Sequence, residues 1–181
     1  VDTLVSEGKI EKRFNTVFFT NGDSKNAEYS GIYSAAIGTI FALIICMVVA
    51  FPLGVATAVY LEEFADPDSK LSQFIEININ NLAAVPSILF GLLGLAIFIT
   101  LFGMPRSSTL VGGLTLALMT LPIIVVSSRA ALRSVPASIR QAAYGLGLTK
   151  VQVVRDHVLP LAFPGILTGS IIGMAQAMGE T

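Results

Sequence analysis

The sequence predicts an all-α membrane protein: a helical bundle of about four membrane-spanning helices, with a two-helix loop before the last of them. Three observations carry this. Of 181 residues, 54% are hydrophobic and only 13% are charged, about half the charge of an ordinary soluble domain, and mean hydropathy is +0.77. Charge is absent from four runs, at 29–61, 77–105, 107–128 and 158–179, each long enough for the roughly 20 residues that cross a bilayer core. The block between the third and fourth runs is charged and helix-forming. A net charge of −1 gives no bias towards nucleic acid, and a single cysteine, Cys46, inside an apolar run excludes a disulfide framework.

The elements follow in order. Residues 1–28 mix Lys9, Lys12, Arg13 and Lys25 with Asp2, Glu7, Glu11, Asp23 and Glu28, the composition of a solvated segment, with a turn at Asn21-Gly22-Asp23. Tyr29 to Leu61 forms the first span, kinked at Pro52, which membrane helices tolerate. Glu62, Glu63, Asp66, Asp68 and Glu76 make an acidic loop, and Asp66-Pro67 suits a helix start. Ile77 to Pro105 is the second run. Asn78, Asn80 and Asn81 set its first turn near the interface or against protein, and Val85-Pro86-Ser87-Ile88 interrupts it, either as a plain kink or as a pore-lining break. Arg106 sits in a short turn. Ser107 to Ser128 is the third span. In the fourth, Pro160 and Pro164 delay the helix to about Gly165.

Orientation follows from the basic residues. Arg129, Arg133, Arg140, Lys150 and Arg155 stand between the third and fourth runs against one acid, Asp156, and between Ile77 and Arg155 there is no Asp or Glu. The positive-inside rule places that block in the cytoplasm. Residues 1–30 are then an extracytoplasmic polar segment, and 31–181 a transmembrane domain. The chain starts at Val1 with no signal peptide and stops at Thr181 within an apolar segment, so a fragment of a longer multi-pass protein, truncated at both ends, is expected.

Within the block, Pro136 suits a first helical turn. Ile139, Ala142, Ala143 and Leu146 then fall on one apolar face, flanked by Arg140 and Gln141. Gly147 reads as a left-handed stop. Thr149 with Gln152 is a capping box for a second helix, whose stripe is Val151, Val154 and Val158 and which ends at Pro160. By pattern alone this is a helix–glycine–helix unit, either an interfacial hairpin or a docking surface.

The spacing Gln141-Ala142-Ala143, Gly147, His157, Leu159-Pro160 resembles the EAA loop of ABC importer permeases (the MetI-like bundle), here spanning about 129–163, with Gln141 in place of Glu and His157 in place of Ile. Val85-Pro86-Ser87-Ile88 with Gly91, Leu121-Pro122, Pro164-Gly165-Ile166-Leu167-Thr168-Gly169 and Gly179-Glu180-Thr181 are similar to the phosphate-importer permeases of the PstA type. That branch often carries Arg where this chain has Gln176. The resemblance implies a multi-pass protein of the bacterial inner membrane, paired with a second homologous permease. It also implies two cytoplasmic ATP-binding subunits that grip the loops and a periplasmic phosphate-binding protein. ATP and Mg²⁺ would sit on the ATPase subunits, with no cofactor bound by this chain, and no phosphate-cradling loop is seen here. The coupling residues it implies are Arg140, Gln141, Ala142, Ala143, Gly147, Leu159 and Pro160.

For the translocation path the candidates are Pro86, Ser87, Gln176, Glu180 and Thr181. Glu180 is the one acid in or near the fourth span, where a charge is costly: either it serves the path or its gating, with a positive partner or a bound proton, or it lies at the outer interface or pairs with the partner permease. Gly165, Gly169 and Gly173 recur at i+4, a stripe for close helix packing within the subunit or between subunits. His157 is the single histidine, so an all-protein zinc site is not expected. Sulfate, molybdate or an amino acid are alternative solutes. An intramembrane hydrolase is a remote alternative, since Ser87, Ser127 and Ser128 have no local base.

Overall fold

The computed structural model describes residues 16–24, 26, 30–66 and 68–181. Lys9, Lys12, Arg13, Lys25, Asp2, Glu7, Glu11, Glu28 and Pro67 lie outside the described residues. The chain divides into two compact units, 1–40 and 41–181. In the first, a single helical turn, α1 (Val17–Thr20), precedes the start of α2 (Tyr33–Val59). The Gly31 amide donates to the Gly22 carbonyl (2.9 Å) and the Ile32 amide to the Phe18 carbonyl (2.9 Å). A Cβ at Gly31 would overlap the Asn21 carbonyl, so only glycine fits this approach.

The second unit holds the bundle. α2 runs on into a π-turn, Tyr60–Phe64. Then come α3 (Lys70–Ala83) and α4 (Ser87–Gly94), the latter continued by a π-turn at Leu95–Leu101. After α5 (Thr109–Arg133) the loop forms α6 (Ala137–Gly145) and α7 (Lys150–Val153). A third π-turn, Val154–Val158, leads into α8 (Leu159–Glu180). Tyr33–Phe64, Thr109–Arg133 and Lys150–Glu180 are long and apolar enough to cross a membrane, and α3 with α4, bent by 107°, would make a fourth crossing.

Three boundaries differ from the sequence reading. α3 begins at Lys70 after Ser69, not at Asp66-Pro67, because the Asp66 carboxylate accepts the Asp68 amide (3.1 Å) in a local turn. It therefore carries Lys70 and Glu76 and is amphipathic, with Ile79 buried and Phe74 and Ile77 outward. Its end is set by Pro86, which lacks an amide hydrogen and pushes Val85 out of the helical region. The Ala84 and Val85 amides bond three residues back instead, to Asn81 and Leu82 (3.1 Å each). Second, α5 passes Ser128 and reaches Arg133, so Arg129 and Arg133 ride on a rigid helix end rather than a loop. Third, no break occurs at Pro160, and the helix does not wait for Gly165. The Leu159 amide donates to the Val154 carbonyl, five residues back, and this wider turn carries the ladder past the proline.

α8 lies antiparallel on α5 through its glycine stripe. A Cβ at Gly165 would come to 2.8 Å from Ala131 Cβ, and one at Gly169 would overlap both Ser127 Oγ and Cβ. At Gly173 a Cβ would make ordinary contact, 3.6 Å from Ile124. Among lipid tails apolar area alone drives no association, so such backbone proximity is what the helices gain by packing. α5 feeds two apolar clusters, one with Ala58, Ile79, Val125, Leu132, Val158 and Ile166, the other with Cys46, Ala50, Ala117, Ile124 and Ala177.

The charges gather at one end of this unit. Glu62 takes Arg133 Nε (2.8 Å) and Arg129 Nε (3.3 Å), while Arg129 also pairs with Glu76 (2.9 Å). Glu63, whose side chain is 8% exposed, pairs with Arg140 (2.7 Å). Arg140 in addition donates to the carbonyls of Leu132 (2.9 Å), in the last turn of α5, and of Val135 (2.7 Å), just beyond it. The Lys150 ammonium stands 5.6 Å from the centre of the Phe64 ring. The acidic loop of the sequence reading is thus half of an ionic clasp, and its acids share a face with the basic block.

Two outcomes are expected in detergent melting curves of the purified protein. Gly169→Ala should destabilise by about 1–3 kcal/mol, because Ser127 Cβ cannot rotate away, while Gly112→Ala, with nothing within 4 Å, should melt as the parent does. Arg140→Ala should cost about 3–5 kcal/mol by stranding the buried Glu63 carboxylate. Glu63→Gln should cost less, since the guanidinium keeps its two carbonyls.

Candidate functional site: the coupling loop and a cavity

The loop is built by local chemistry. α6 ends where the Gly147 amide donates to the Tyr144 carbonyl (2.9 Å) and Leu146 to Ala142 and Ala143 (3.2 Å each). Gly147 has φ 81°, a left-handed conformation that glycine adopts freely. Thr149 then starts α7 with its amide on Gln152 Oε1 (2.9 Å) and its hydroxyl on the same atom (2.9 Å). The stop and the box both stand where the sequence placed them.

The faces do not. Of the expected apolar stripe, Ala143 is buried and Ile139 half-buried, but Ala142 is exposed and Leu146 is 80% exposed. Tyr144 and Val151 also face outward, and Gln141 lies beside them on the surface. Over α7 and the π-turn that follows it the buried set is Val153, Val154 and Val158, so Val151 leaves the predicted stripe. Among the described residues, chain neighbours aside, nothing lies within 4 Å of a Cβ built on Gly147. The loop tip therefore presents an uncovered apolar patch with an open glycine beside it. Arg140 is not part of that patch, because its guanidinium is turned inward. Leu159 is half-buried and Pro160 exposed, at the seam between loop and span. His157 is half-buried, and its neighbours Arg155 and Asp156 pair with each other (2.7 Å).

The path candidates divide. A cavity of about 660 Å³ is lined by Ser87, Gly91, Gly112, Thr115, Glu180 and Thr181, with Ala42 and Met119 among its apolar walls. Ser87 of α4 is thus brought together with Glu180 and Thr181 at the end of α8. Pro86 caps α4 on the exposed side, and Gln176 is exposed outside the lining. Gly112, Thr115, Leu116 and Met119 were missed as lining residues. Their i, i+3, i+4, i+7 spacing is the signal that could have found them. The glycine pairings with α5 put Glu180 at the level of Gly112–Leu116, within about 11 Å of the helix start at Thr109 on a 1.5 Å rise. Among the described residues Glu180 has no ion-pair partner, and no group of three His, Cys, Asp or Glu side chains could hold a metal. Of the serine candidates, Ser127 donates to the Ile124 carbonyl (3.1 Å), and Ser128 is fully buried without a partner.

Known proteins resemble this arrangement. The family described as "Binding-protein-dependent transport system inner membrane component" matches residues 50–181. "Probable ABC transporter permease protein YqgI" of Bacillus subtilis (strain 168) is 35% identical over 164 residues, 90% of this chain and 55% of that one. "Phosphate transport system permease protein PstA 1" of Mycobacterium tuberculosis (strain CDC 1551 / Oshkosh) is 36% identical over 151 residues, 83% of this chain and 49% of that one. The chain spans about half the length of these curated relatives. Among solved structures, the MetNI methionine ABC transporter in an inward-facing conformation superposes with a TM-score of 0.67 at 21% identity, covering 83% of this chain and 69% of that one. That likeness shows the fold. The chain belongs to the family of binding-protein-dependent transport system inner membrane components, and its long apolar helices are membrane spans of such a component.

Proposed function

We propose that this chain is the membrane-spanning permease part of an ATP-driven importer for inorganic phosphate. The observation that carries the mechanical half is the loop tip. Leu146 at 80% exposed, with Tyr144 and Val151 outward and open space at Gly147, is a surface for another protein rather than a core. Two cytoplasmic ATP-binding subunits would seat one such loop each, on this chain and on a second homologous permease. ATP and Mg²⁺ would bind there. α7 runs unbroken into α8, and α6 follows α5 after a short turn, so a displacement of the tip reaches both spans. A periplasmic phosphate-binding protein would deliver the solute.

Support for phosphate comes from relatives named as phosphate transport system permeases, among them PstA 1 of M. tuberculosis and PstC of Haemophilus influenzae, the latter 32% identical over 207 residues. The cavity supplies hydroxyls from Ser87, Thr115 and Thr181, donors suited to phosphate oxygens. Its one carboxylate, Glu180, opposes an anion unless it holds a proton or meets a cation from the partner permease. Sulfate or molybdate would meet the same groups.

Two measurements test this in cells that lack their own permease and carry the complete gene. Gly147→Asp should insert and assemble, because Asp tolerates the left-handed region and the space is open in this chain, yet phosphate uptake should fall by roughly tenfold or more through loss of the docking contact. Normal uptake would refute the docking role. Glu180→Gln should change uptake by roughly fivefold or more, since it removes the charge at the cavity, and unchanged uptake would remove Glu180 from the path.

A further inference from the structure

We infer that Glu63 is a positioning residue of the coupling machinery. Through the Glu63–Arg140 pair the loop is fixed to the end of α2, so loop displacement moves α2 along with α5 and α8. This rests on the docking reading of the loop and adds a third span to the route.

Covalent continuity explains how α5 and α8 follow the loop. It does not reach α2, whose Glu63 is 77 positions from Arg140. The link is a junction of three elements at one guanidinium. Nη2 of Arg140 meets Glu63 Oε1 (2.7 Å) and the Leu132 carbonyl (2.9 Å), and Nη1 meets the Val135 carbonyl (2.7 Å). Exposure is 21% for the Arg140 side chain and 8% for Glu63. A surface pair would exchange for water at little cost. This one would leave a buried charge unpaired on opening, so it holds as a rigid strut.

A second contact repeats the link on the next residue, where Lys150 at the start of α7 stands over the Phe64 ring. Ala143 and Val153 of the loop helices share one apolar cluster with Ala58 of α2, and Val59 and Leu61 pack on it. The π-turn Tyr60–Phe64 gives the geometry. A π-turn holds more residues than an α-turn, and here the adjacent side chains of Glu62 and Glu63 serve different partners, the former α5 and the latter the loop. The other stretch of α2 in this unit has a use for the motion. Ala42 lines the cavity that contains Glu180, and the Ala42 carbonyl lies so close to Gly113 that a Cβ there would come to 2.8 Å. Tilting α2 from its Glu63 end therefore shifts a cavity wall.

The test uses the complete transporter, both permeases with ATPase subunits and binding protein, in vesicles, with inorganic phosphate as the probe. Uptake and ATP hydrolysis are read together. For Glu63→Gln the complex should still copurify and hydrolyse ATP within about twofold of the parent, while phosphate moved per ATP falls about tenfold or more. A merely structural pair would lower assembly, hydrolysis and uptake together. If the ratio in Glu63→Gln stays at the parental value while Gly147→Asp uncouples, the strut is overturned and the docking reading stands. If Gly147→Asp also transports normally, the docking reading itself has failed. Should Glu63→Gln not assemble, Arg140→Lys is measured in the same way. Loss of assembly there too would assign the pair to stability alone and overturn the inference.

Discussion

The approach of α8 to α5 is the constraint on which the rest depends. Gly165 and Gly169 let one backbone sit against Ala131 and Ser127 of the other, and that proximity fixes the register of the two helices. Register then decides function at both ends. It sets Glu180 level with Thr115, so that a hydroxyl face and a carboxylate line one cavity. At the other end it sets Val158 and Ile166 in the cluster that also holds Leu132 and Val135, so the loop leaves one helix and enters the other without slack. In water such a contact could be replaced by larger apolar side chains. In lipid it cannot, because tails compete equally for those side chains and only close packing favours protein over lipid.

Electrostatics organises the loop end. Basic residues outnumber acids there in the sequence, yet most of their charge is spent inside the chain. Arg129 and Arg133 hold Glu62, Arg129 also holds Glu76, and Arg140 holds Glu63. The positive-inside argument still applies, since it counts Lys and Arg and gives little weight to acids. The consequence for recognition is different. A loop whose guanidiniums are engaged presents an apolar outer surface, and with Gln141 in place of Glu it carries no carboxylate at that position.

What was legible in the sequence is what depends on near neighbours. Gly147, with its left-handed stop, and the Thr149–Gln152 box are set by residues within one or two turns, and both stand as read. The spans were legible because absence of charge over 20 residues has few other meanings. The pairing of Glu63 with Arg140 was not, because nothing local joins positions 77 apart. Proline was read rightly at one position and wrongly at another. Pro86 ends a helix and bends the chain by 107°, whereas Pro160 is carried through by a π-turn whose presence no pattern announced. The loop faces were misread for a third reason. Periodicity finds an apolar stripe but not what covers it, and Leu146 belongs to a stripe that no described residue covers.

That last point bears on how force could pass. A helix pair that buried its whole apolar face would be secured to the bundle and could transmit nothing from outside. One that exposed all of it would be anchored only at its ends and would bend when pushed. Here the two requirements are met on different residues of the same helices. Ala143, Val153 and Val158 anchor the loop, with Arg140 reaching three elements at once, while Leu146, Tyr144 and Val151 stay outward. A load applied at the outward side chains then meets a body already locked to the ends of α2 and α5 and continuous with α8, so it shifts whole helices rather than deforming a loop.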